Sequence, residues 1–541
     1  METPGTQPTV TGGAVGQSEE LTRAISAPLL FFYVLGDVLG SGIYALIGVM
    51  AAQVGGAFWT SFVVGVAAAM LTGFAYSELI TKYPHAAGAA MYTGRAFNNR
   101  FFTFLVAFCT VAASLAATGA LALAFSGYFL ELLVALFSVP LLLAALVFVV
   151  LLAFINFRGI SESVKLNLAM SITEIAGLAL VLAIGVVVLL AGGADLGRPF
   201  DFNEGGNPAL LALAGATLAF FAMTGFENAA NVAEEVQNPS RVYPRALLGG
   251  MASAGLIYLI IAFIASMVAP TGLLADSEVA LLEVVRQGFP AFPAWLFAII
   301  ACIAVTNTCL VALITNSRIM YGMAREGVVP RIFARTHQSR RTPWVAIVFT
   351  TVIALILIVG VGEAGVNTLA SATVAFLLAV FTLVCLCALV LRRDRVPQEH
   401  YTAPTAILIL GVVVNAALLM YVLITDLQGL IAGDVGPRES VLVVCLIMLL
   451  VGVGLYFVNN LAQRRRTRRR GETEEKEDYD PRARRHGRFR TVAQGRPVPA
   501  HPLRGCLAGE DQRHRRRAPA CRRPLRQRLR RGAARRPAGG R

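Results

Sequence analysis

Four carboxylates stand inside long apolar stretches of this chain: Asp37, Glu78, Glu174 and Glu227. An ionisable group in hydrocarbon is costly, so it lines a polar pathway, binds a proton or cation, or has a partner. Glu78 precedes Lys82 by four residues, the spacing of a surface ion pair on a helix, and that pairing is the expectation for it. Glu174 stands nine residues beyond Lys165, about 13 Å along a helix, which approaches mid-membrane. A carboxyl at that depth could carry a proton, or hold a cation or an ammonium group. The plain alternative is a neutral glutamic acid hydrogen-bonded to a neighbouring helix. Bond-making chemistry has less support. Histidine occurs at His85, His337 and His400 and at three positions in the last 60 residues, never inside an apolar run. The eight cysteines show neither zinc spacing nor a disulfide framework, and Cys385-Leu-Cys387 is too close for CxxC chemistry. Neither a catalytic set nor a bound cofactor is expected.

Elements that could hold such carboxylates must cross a bilayer. The chain has 541 residues, 56% hydrophobic and only 15% charged, which excludes a soluble enzyme, a disordered chain and a secreted disulfide scaffold. Crossing takes about 20 apolar residues. Such runs recur at 28–52, 57–80, 101–130, 139–156, 166–191, 209–232, 246–269, 293–320, 343–361, 366–391, 404–425 and 440–459, twelve in all. The first 27 residues lack a basic n-region, and the first run is too long for a signal peptide, so it is expected to remain as an anchor.

Loops after even-numbered spans carry 15 Lys and Arg, including Arg95, Arg158, Arg325 and Arg392. The opposite loops carry only Arg198, Arg286 and Arg438 against 11 acidic residues. That bias places both termini in the cytoplasm, on the positive-inside rule, with the protein in the plasma (inner) membrane. The charge of the tail is separate. From Leu461 to Arg541, 27 Lys+Arg face 8 Asp+Glu, whereas the first 460 residues hold 20 against 24. Arg464–Arg470 adjoins the last span and suits anionic lipid headgroups. The segment 461–541 reads as a basic, disordered cytoplasmic tail, although beyond Pro481 it also resembles out-of-frame translation of GC-rich DNA. Aromatic residues are nearly absent there (Tyr479, Phe489), so stacking on nucleic acid has little to work with.

Two spans carry interruptions. In the first, Gly36, Gly40, Ser41 and Gly42 fall near mid-membrane beside Asp37. In the sixth, Thr224-Gly225-Phe226-Glu227-Asn228 lies at a comparable depth. Unwound backbone survives in a bilayer only when buried or lining a polar cavity, and paired broken helices are what an inverted-repeat transporter needs. Close helix packing on glycine is the alternative. It suits Gly65, Ala69 and Gly73 in the second span.

The stretches GSGIY (40–44), KYPHAAGAAMYTGRAF (82–97), GFENAANVAEEVQNPSRVYPRA (225–246) and NSRIMYGMAREGVVP (316–330) resemble the amino acid–polyamine–organocation (APC) permeases. The likeness covers about residues 25–460. It implies an all-α membrane protein of twelve helices with a LeuT-type 5+5 inverted repeat and broken first and sixth helices. The repeats would span about 28–191 and 209–391, followed by two peripheral helices at about 404–459 and preceded by a cytoplasmic segment, 1–27. It also implies secondary transport of amino acids or related amines by alternating access, with no reaction catalysed. Gly40, Ser41, Gly42 and Ile43, with Thr224, Gly225 and Phe226, would then bind the substrate's carboxylate and amine through backbone groups.

In the cationic-amino-acid branch of that family, a motif like ESxxxNxxxxxxK puts a lysine in span five. Here Glu162-Ser163…Asn167 is followed by Glu174 in the lysine's place. Asp37 occupies a position the family usually gives to an apolar or small residue. The implied fold brings spans one, five and eight together, so Thr306, Asn307 and Thr308 could add oxygens to Asp37 and Glu174. Such a set suits sodium, and a proton shared between the two carboxyls fits as well. Glu227 matches an acidic position tied to gating and proton sensing in arginine/agmatine exchangers. Phe221 falls where those proteins keep an aromatic lid, or else it is an ordinary packing residue. Glu234–Pro239, with Arg241 and Arg245, matches a cytoplasmic gate segment, and solvated charge explains it equally well. The acidic centre leans towards cationic substrates such as arginine, lysine or polyamines. An ion-independent exchanger and a non-transporting receptor are the remaining readings.

Overall fold

The computed structural model describes residues 25–84, 88–133, 139–158, 163–325, 327–340 and 342–478. The chain divides into two units, Met1–Gly471 and Glu472–Arg541, and the site lies in the first. Sixteen α-helices follow in order among the described residues: α1 (Ala27–Val38), α2 (Gly42–Val54), α3 (Trp59–Lys82), α4 (Gly88–Phe97), α5 (Arg100–Leu133), α6 (Leu141–Arg158), α7 (Ser163–Leu190), α8 (Pro208–Ala222), α9 (Pro239–Val268), α10 (Thr271–Ala275), α11 (Ala280–Gly288), α12 (Ala294–Arg325), α13 (Trp344–Val361), α14 (Val366–Leu391), α15 (Thr405–Ala432) and α16 (Val441–Asp478). No sheet occurs among these residues, only two isolated bridges, Ile25 with Val236 and Gly55 with Phe202.

Among the described residues eleven helical stretches are long and apolar enough to cross a membrane, one of them joining α8 to the 3-10 helix that follows it, and the bent pair α1–α2 makes a twelfth span. The protein is therefore an all-helical, multi-pass membrane protein. Its bend is 43°, at the break between Val38 and Gly42. The sixth span is interrupted too, because α8 stops at Ala222 and the chain resumes as a 3-10 helix, Phe226–Glu235. The fourth and ninth spans, α6 and α13, have 18 residues each.

Burial sorts the helices. In α2, α8 and α14 most side chains are buried, whereas α6, α13 and α15 expose Leu151, Phe154, Val352, Ile356, Val413 and Met420. Apolar exposure of that kind is how a helix meets lipid. The last pair of helices, the least buried of the spans, is still bonded to the rest of the bundle. Asn415 of α15 is buried and donates to Thr72 Oγ1 on α3 at 2.8 Å. α16 continues to Asp478, past the boundary expected at 460, and its Asn459 and Gln463 both donate to the Gly327 carbonyl at 2.6 Å. The rest of the basic tail, like the N-terminal segment up to residue 24, lies outside the described residues.

At the end carrying the basic loops, Ile25 pairs with the strand-like segment after the 3-10 helix, through Ile25 N–H to Glu235 O (2.9 Å) and Gln237 N–H to Ile25 O (3.0 Å). Glu78 closes the same end. It is 1% exposed, and Arg392 grips it with Nε on Oε1 at 3.0 Å and Nη2 on Oε2 at 2.9 Å. The Ala403 amide adds a third donor at 2.8 Å. Lys82 turns away to the Leu391 carbonyl at 2.6 Å. The expected Glu78–Lys82 surface pair is thus replaced by a buried lock between α3 and the α14–α15 loop, a long-range contact invisible to i, i+4 spacing.

Candidate functional site

The two interruptions pack against each other. α1 ends in a tight turn, with Gly40 N–H donating to Val38 O at 2.6 Å, and α2 starts at Gly42. A side chain on Gly42 would place its Cβ 2.8 Å from Ala222 Cα, so glycine lets α2 begin directly on the end of α8. Gly225 closes the other side. Its φ of +114° is outside the range of L side chains, and a Cβ there would lie 2.5 Å from the Asp37 carbonyl oxygen. Ile43 is fully buried behind Gly42.

Side chains fix this junction from several helices. Thr308 Oγ1 on α12 accepts from Ser41 N–H at 3.3 Å. Asn228 Nδ2 donates to Asp37 Oδ2 at 3.1 Å, joining the 3-10 helix to α1. Glu227 Oε2 accepts from Gly225 N–H at 2.9 Å, and Thr224 Oγ1 donates to Phe221 O at 2.8 Å, so each holds the sixth-span turn locally. Asp37 and Glu227 therefore share one locus through Gly225.

Glu174 lies on α7, beside Tyr44 of α2. It is 1% exposed, and its Oε1 has no hydrogen-bond partner among the described residues. Its backbone carbonyl accepts from Tyr44 OH at 3.0 Å, and Tyr128 OH in turn donates to Tyr44 O at 2.9 Å. Asn307 Nδ2 donates to Ser171 Oγ at 3.2 Å, one turn before Glu174 on α7. Consecutive helical positions diverge by about 100°, so Thr308 serves the first-span break, Asn307 faces α7, and half-buried Thr306 hydrogen-bonds to neither.

Other expected residues take different parts. Phe221 is buried, 4% exposed, one turn before the break. Phe226 inserts its ring into an aromatic cluster, edge-on to Tyr76 (5.6 Å, 88°) and against Phe381 (5.3 Å), which leaves only its backbone to the site. The segment 82–97 supplies α4, whose Tyr92 and Thr93 are buried, while His85, Ala86 and Ala87 lie outside the described residues. Asn167 belongs to α7, its side chain outside the description.

One residue that composition could not single out is Tyr258. From the middle of α9 its hydroxyl donates to Val38 O at 2.6 Å and to Gly40 O at 3.2 Å, capping the carbonyl end of the break. A tyrosine within an apolar run gives no sequence signal for such a role.

Two cavities lie at the end carrying the acidic loops. One, of about 370 Å³, is lined by Glu131, Asp276, Glu278 and Glu283. The other, about 250 Å³, shares Asp276, Ser277 and Glu278 with it and is lined on α2 by Tyr44 and Gly48, with Glu363 and Asn367 opposite. Burial, then the charge of Glu363, pushes the Glu278 carboxyl above its ordinary range. Arg286 is occupied by Glu131 (2.6 Å) and Glu283 (2.5 Å). No group of three or more metal-ligating His, Cys, Asp or Glu side chains occurs among the described residues.

The chain is similar to known membrane transporters. A methylthioribose transporter of Bacillus subtilis is 27% identical over 403 residues, covering 72% of this chain and 85% of the relative. A branched-chain amino acid permease of the same organism is 26% identical over 350 residues, covering 62% and 74%. Cationic amino acid transporter 4 of Mus musculus is 29% identical over 400 residues, covering 69% and 60%. Residues 25–460, which include both broken spans, match the family model described as amino acid permease, and the chain is a member of the amino acid permease family of the APC superfamily.

Proposed function

We propose that the protein is a secondary amino acid transporter that works by alternating access and is driven by a proton. The observation that carries this reading is the junction of the two broken spans. The first amides of α2, at Gly42, Ile43 and Tyr44, lack an i−4 helical carbonyl and can receive a substrate carboxylate. Backbone groups of Thr224 and Phe226 opposite complete the site, with Phe221 as its lid, while Gly40, Ser41 and Gly225, whose amides and carbonyls are already bonded, shape the two turns around it.

Glu174 is the proton carrier in this reading, because Asp37 and Glu227 already accept hydrogen bonds whereas Glu174 Oε1 has no partner. Sodium held by Asp37, Glu174 and Thr308 is the competing outcome. The acidic cavities favour cationic substrates, since their lining carboxylates raise the local concentration of a cation. The protein sits in the plasma membrane with its basic loops in the cytoplasm, and residues 464–470 meet anionic headgroups.

Uptake of a labelled panel including arginine and alanine into proteoliposomes, under proton and then sodium gradients, tests the proposal. Proton-driven uptake lost in Glu174→Gln is expected. Sodium-driven uptake, or a mutant with unaltered coupling, removes Glu174 from the proton role. No uptake of any panel member overturns the transport reading.

A further inference from the structure

Two side chains of one helix close on a single carbonyl at the end carrying the basic loops. Asn459 Nδ2 and Gln463 Nε2, one turn apart on α16, each donate to Gly327 O at 2.6 Å, which uses both lone pairs of that oxygen. Gly327 ends α12. Its φ of +75° is left-handed, and the Gly327 and Val328 amides turn back to Ala324 O (3.2 Å) and Met323 O (2.9 Å), the pair of hydrogen bonds that closes a helix on glycine. The two donors differ in setting. Asn459 is buried, whereas Gln463 is exposed and is the last residue of the crossing stretch Val441–Gln463.

α16 does not stop there. It stays helical through 464–470, where every residue but Thr467 is arginine. The family match ends at residue 460, before this stretch. Seven residues rise about 10 Å along a helix, which carries them into the headgroup layer. Arg464 and Arg468, Arg465 and Arg469, and Arg466 and Arg470 stand four apart, the spacing at which like charges on a helix repel. Left unneutralised, that repulsion unwinds the helix from its end, and the first contact with the bundle that it reaches is Gln463.

We propose that 464–470 is a site for anionic phospholipid headgroups that regulates the protein through Gly327: bound headgroups neutralise the arginines, the last turns of α16 stay wound, and Gln463 joins Asn459 on the carbonyl that ends α12. In neutral lipid Asn459 holds that carbonyl alone. The effect on rate rests on the transport reading above. α12 also carries Thr308, which accepts Ser41 N–H at the first-span break, so fixing the end of this helix steadies its contact with the site.

The test uses the full-length protein in phosphatidylcholine vesicles with and without phosphatidylglycerol. It reads initial uptake and, independently of transport, hydrogen exchange at the Gly327 and Val328 amides. In the wild type, phosphatidylglycerol should slow that exchange and raise uptake about fivefold, the lower end of coupling between two sites. Replacing Arg464, Arg465 and Arg466 together by Gln should remove most of both responses. It should also cut retention of phosphatidylglycerol by the purified protein at least about fivefold, the scale of one basic residue at an anionic surface.

Gln463→Leu changes only an exposed position. It should retain the lipid yet lose both responses. A wild-type protein indifferent to phosphatidylglycerol in both readouts overturns the proposal. A Gln463→Leu protein that responds like the wild type does so too, because the arginines would then act without the carbonyl. A soluble oligonucleotide that reproduces both responses in phosphatidylcholine would take the site away from lipid. Exchange that follows the lipid in the wild type and in neither variant, in a protein that transports nothing, would sink the transport reading and keep this one.

Discussion

Removing Arg392 should damage the protein more than neutralising its partner, because the two halves of the lock differ in access to water. Glu78 is 1% exposed and accepts three N–H groups, two of them from Arg392. Arg392→Met keeps most of the side-chain volume but leaves the carboxylate in the interior with the Ala403 amide alone. An uncompensated buried charge costs about 3–5 kcal/mol. Glu78→Gln is milder. Arg392 is 24% exposed, so water reaches it, and it retains the Thr405 hydroxyl at 2.5 Å and the Ala403 carbonyl. Its cost is that of weakened hydrogen bonds, about 1–2 kcal/mol. The double change Arg392→Met with Glu78→Met removes both charges and should recover to within about 2 kcal/mol of the wild type, since buried pairs gain little over apolar packing. Denaturant titration of detergent-solubilised protein, followed by tryptophan fluorescence, gives the ranking. An Arg392→Met protein no less stable than Glu78→Gln, or a double variant as weak as Arg392→Met, would refute this account of the lock.

Three further outcomes follow from the geometry. Gly225→Ala should abolish uptake in proteoliposomes: the φ of +114° costs an L residue about 1–3 kcal/mol, and the new Cβ would force the sixth-span turn off the Asp37 carbonyl. Wild-type rates in that variant would show that the two breaks need not touch. Asn415→Leu should lower stability by about 1–3 kcal/mol, because Thr72 loses its partner within the bilayer; an unchanged denaturation midpoint would mean the contact is dispensable.

Glu278 gives a pH signature. Its carboxyl is held above its ordinary range by burial and by Glu363, so the folded state binds its proton more tightly than the unfolded chain does. Its ionised form opposes folding at neutral pH, and stability rises as pH falls through the folded value toward the unfolded one, about 4.3. Glu278→Gln should melt higher at pH 7 and lose that rise on acidification. A melting profile parallel to the wild type would contradict the assignment.

The spans were legible because hydropathy is additive along a chain. Twelve apolar runs became eleven crossing helices and one bent pair, with ends shifted by a few residues. The breaks were legible for a local reason as well: glycines beside Asp37 and Glu227 announce backbone that cannot stay helical. Contacts between distant segments left no such mark. Spacing linked Glu78 to Lys82, while its partner was 314 positions away. Neither Tyr258 nor Asn415 has a neighbour in sequence that hints at its acceptor. Phe226 shows the converse, since its position beside Gly225 marked it for the site, yet its ring belongs to the cluster around Tyr76 and Phe381. Thr306, Asn307 and Thr308 look equivalent in a row. Helical rotation sends them to different neighbours.

The hydrogen bond between Asn415 and Thr72 also gives the surrounding lipid a part in the work of the protein. α15 presents Ile409, Val413, Met420 and Ile424 to the acyl chains, each at least 45% exposed, while its opposite side is bonded to α3 in the hydrocarbon layer. Any displacement of α3 drags α15 through the bilayer, and the first shell of acyl chains must rearrange with it. A fluid bilayer yields to that drag and a stiff or thicker one resists it. The cycling rate of the reconstituted protein is then expected to depend on acyl-chain length and saturation, and the Asn415→Leu variant, whose outer helix is uncoupled from α3, should feel that dependence less.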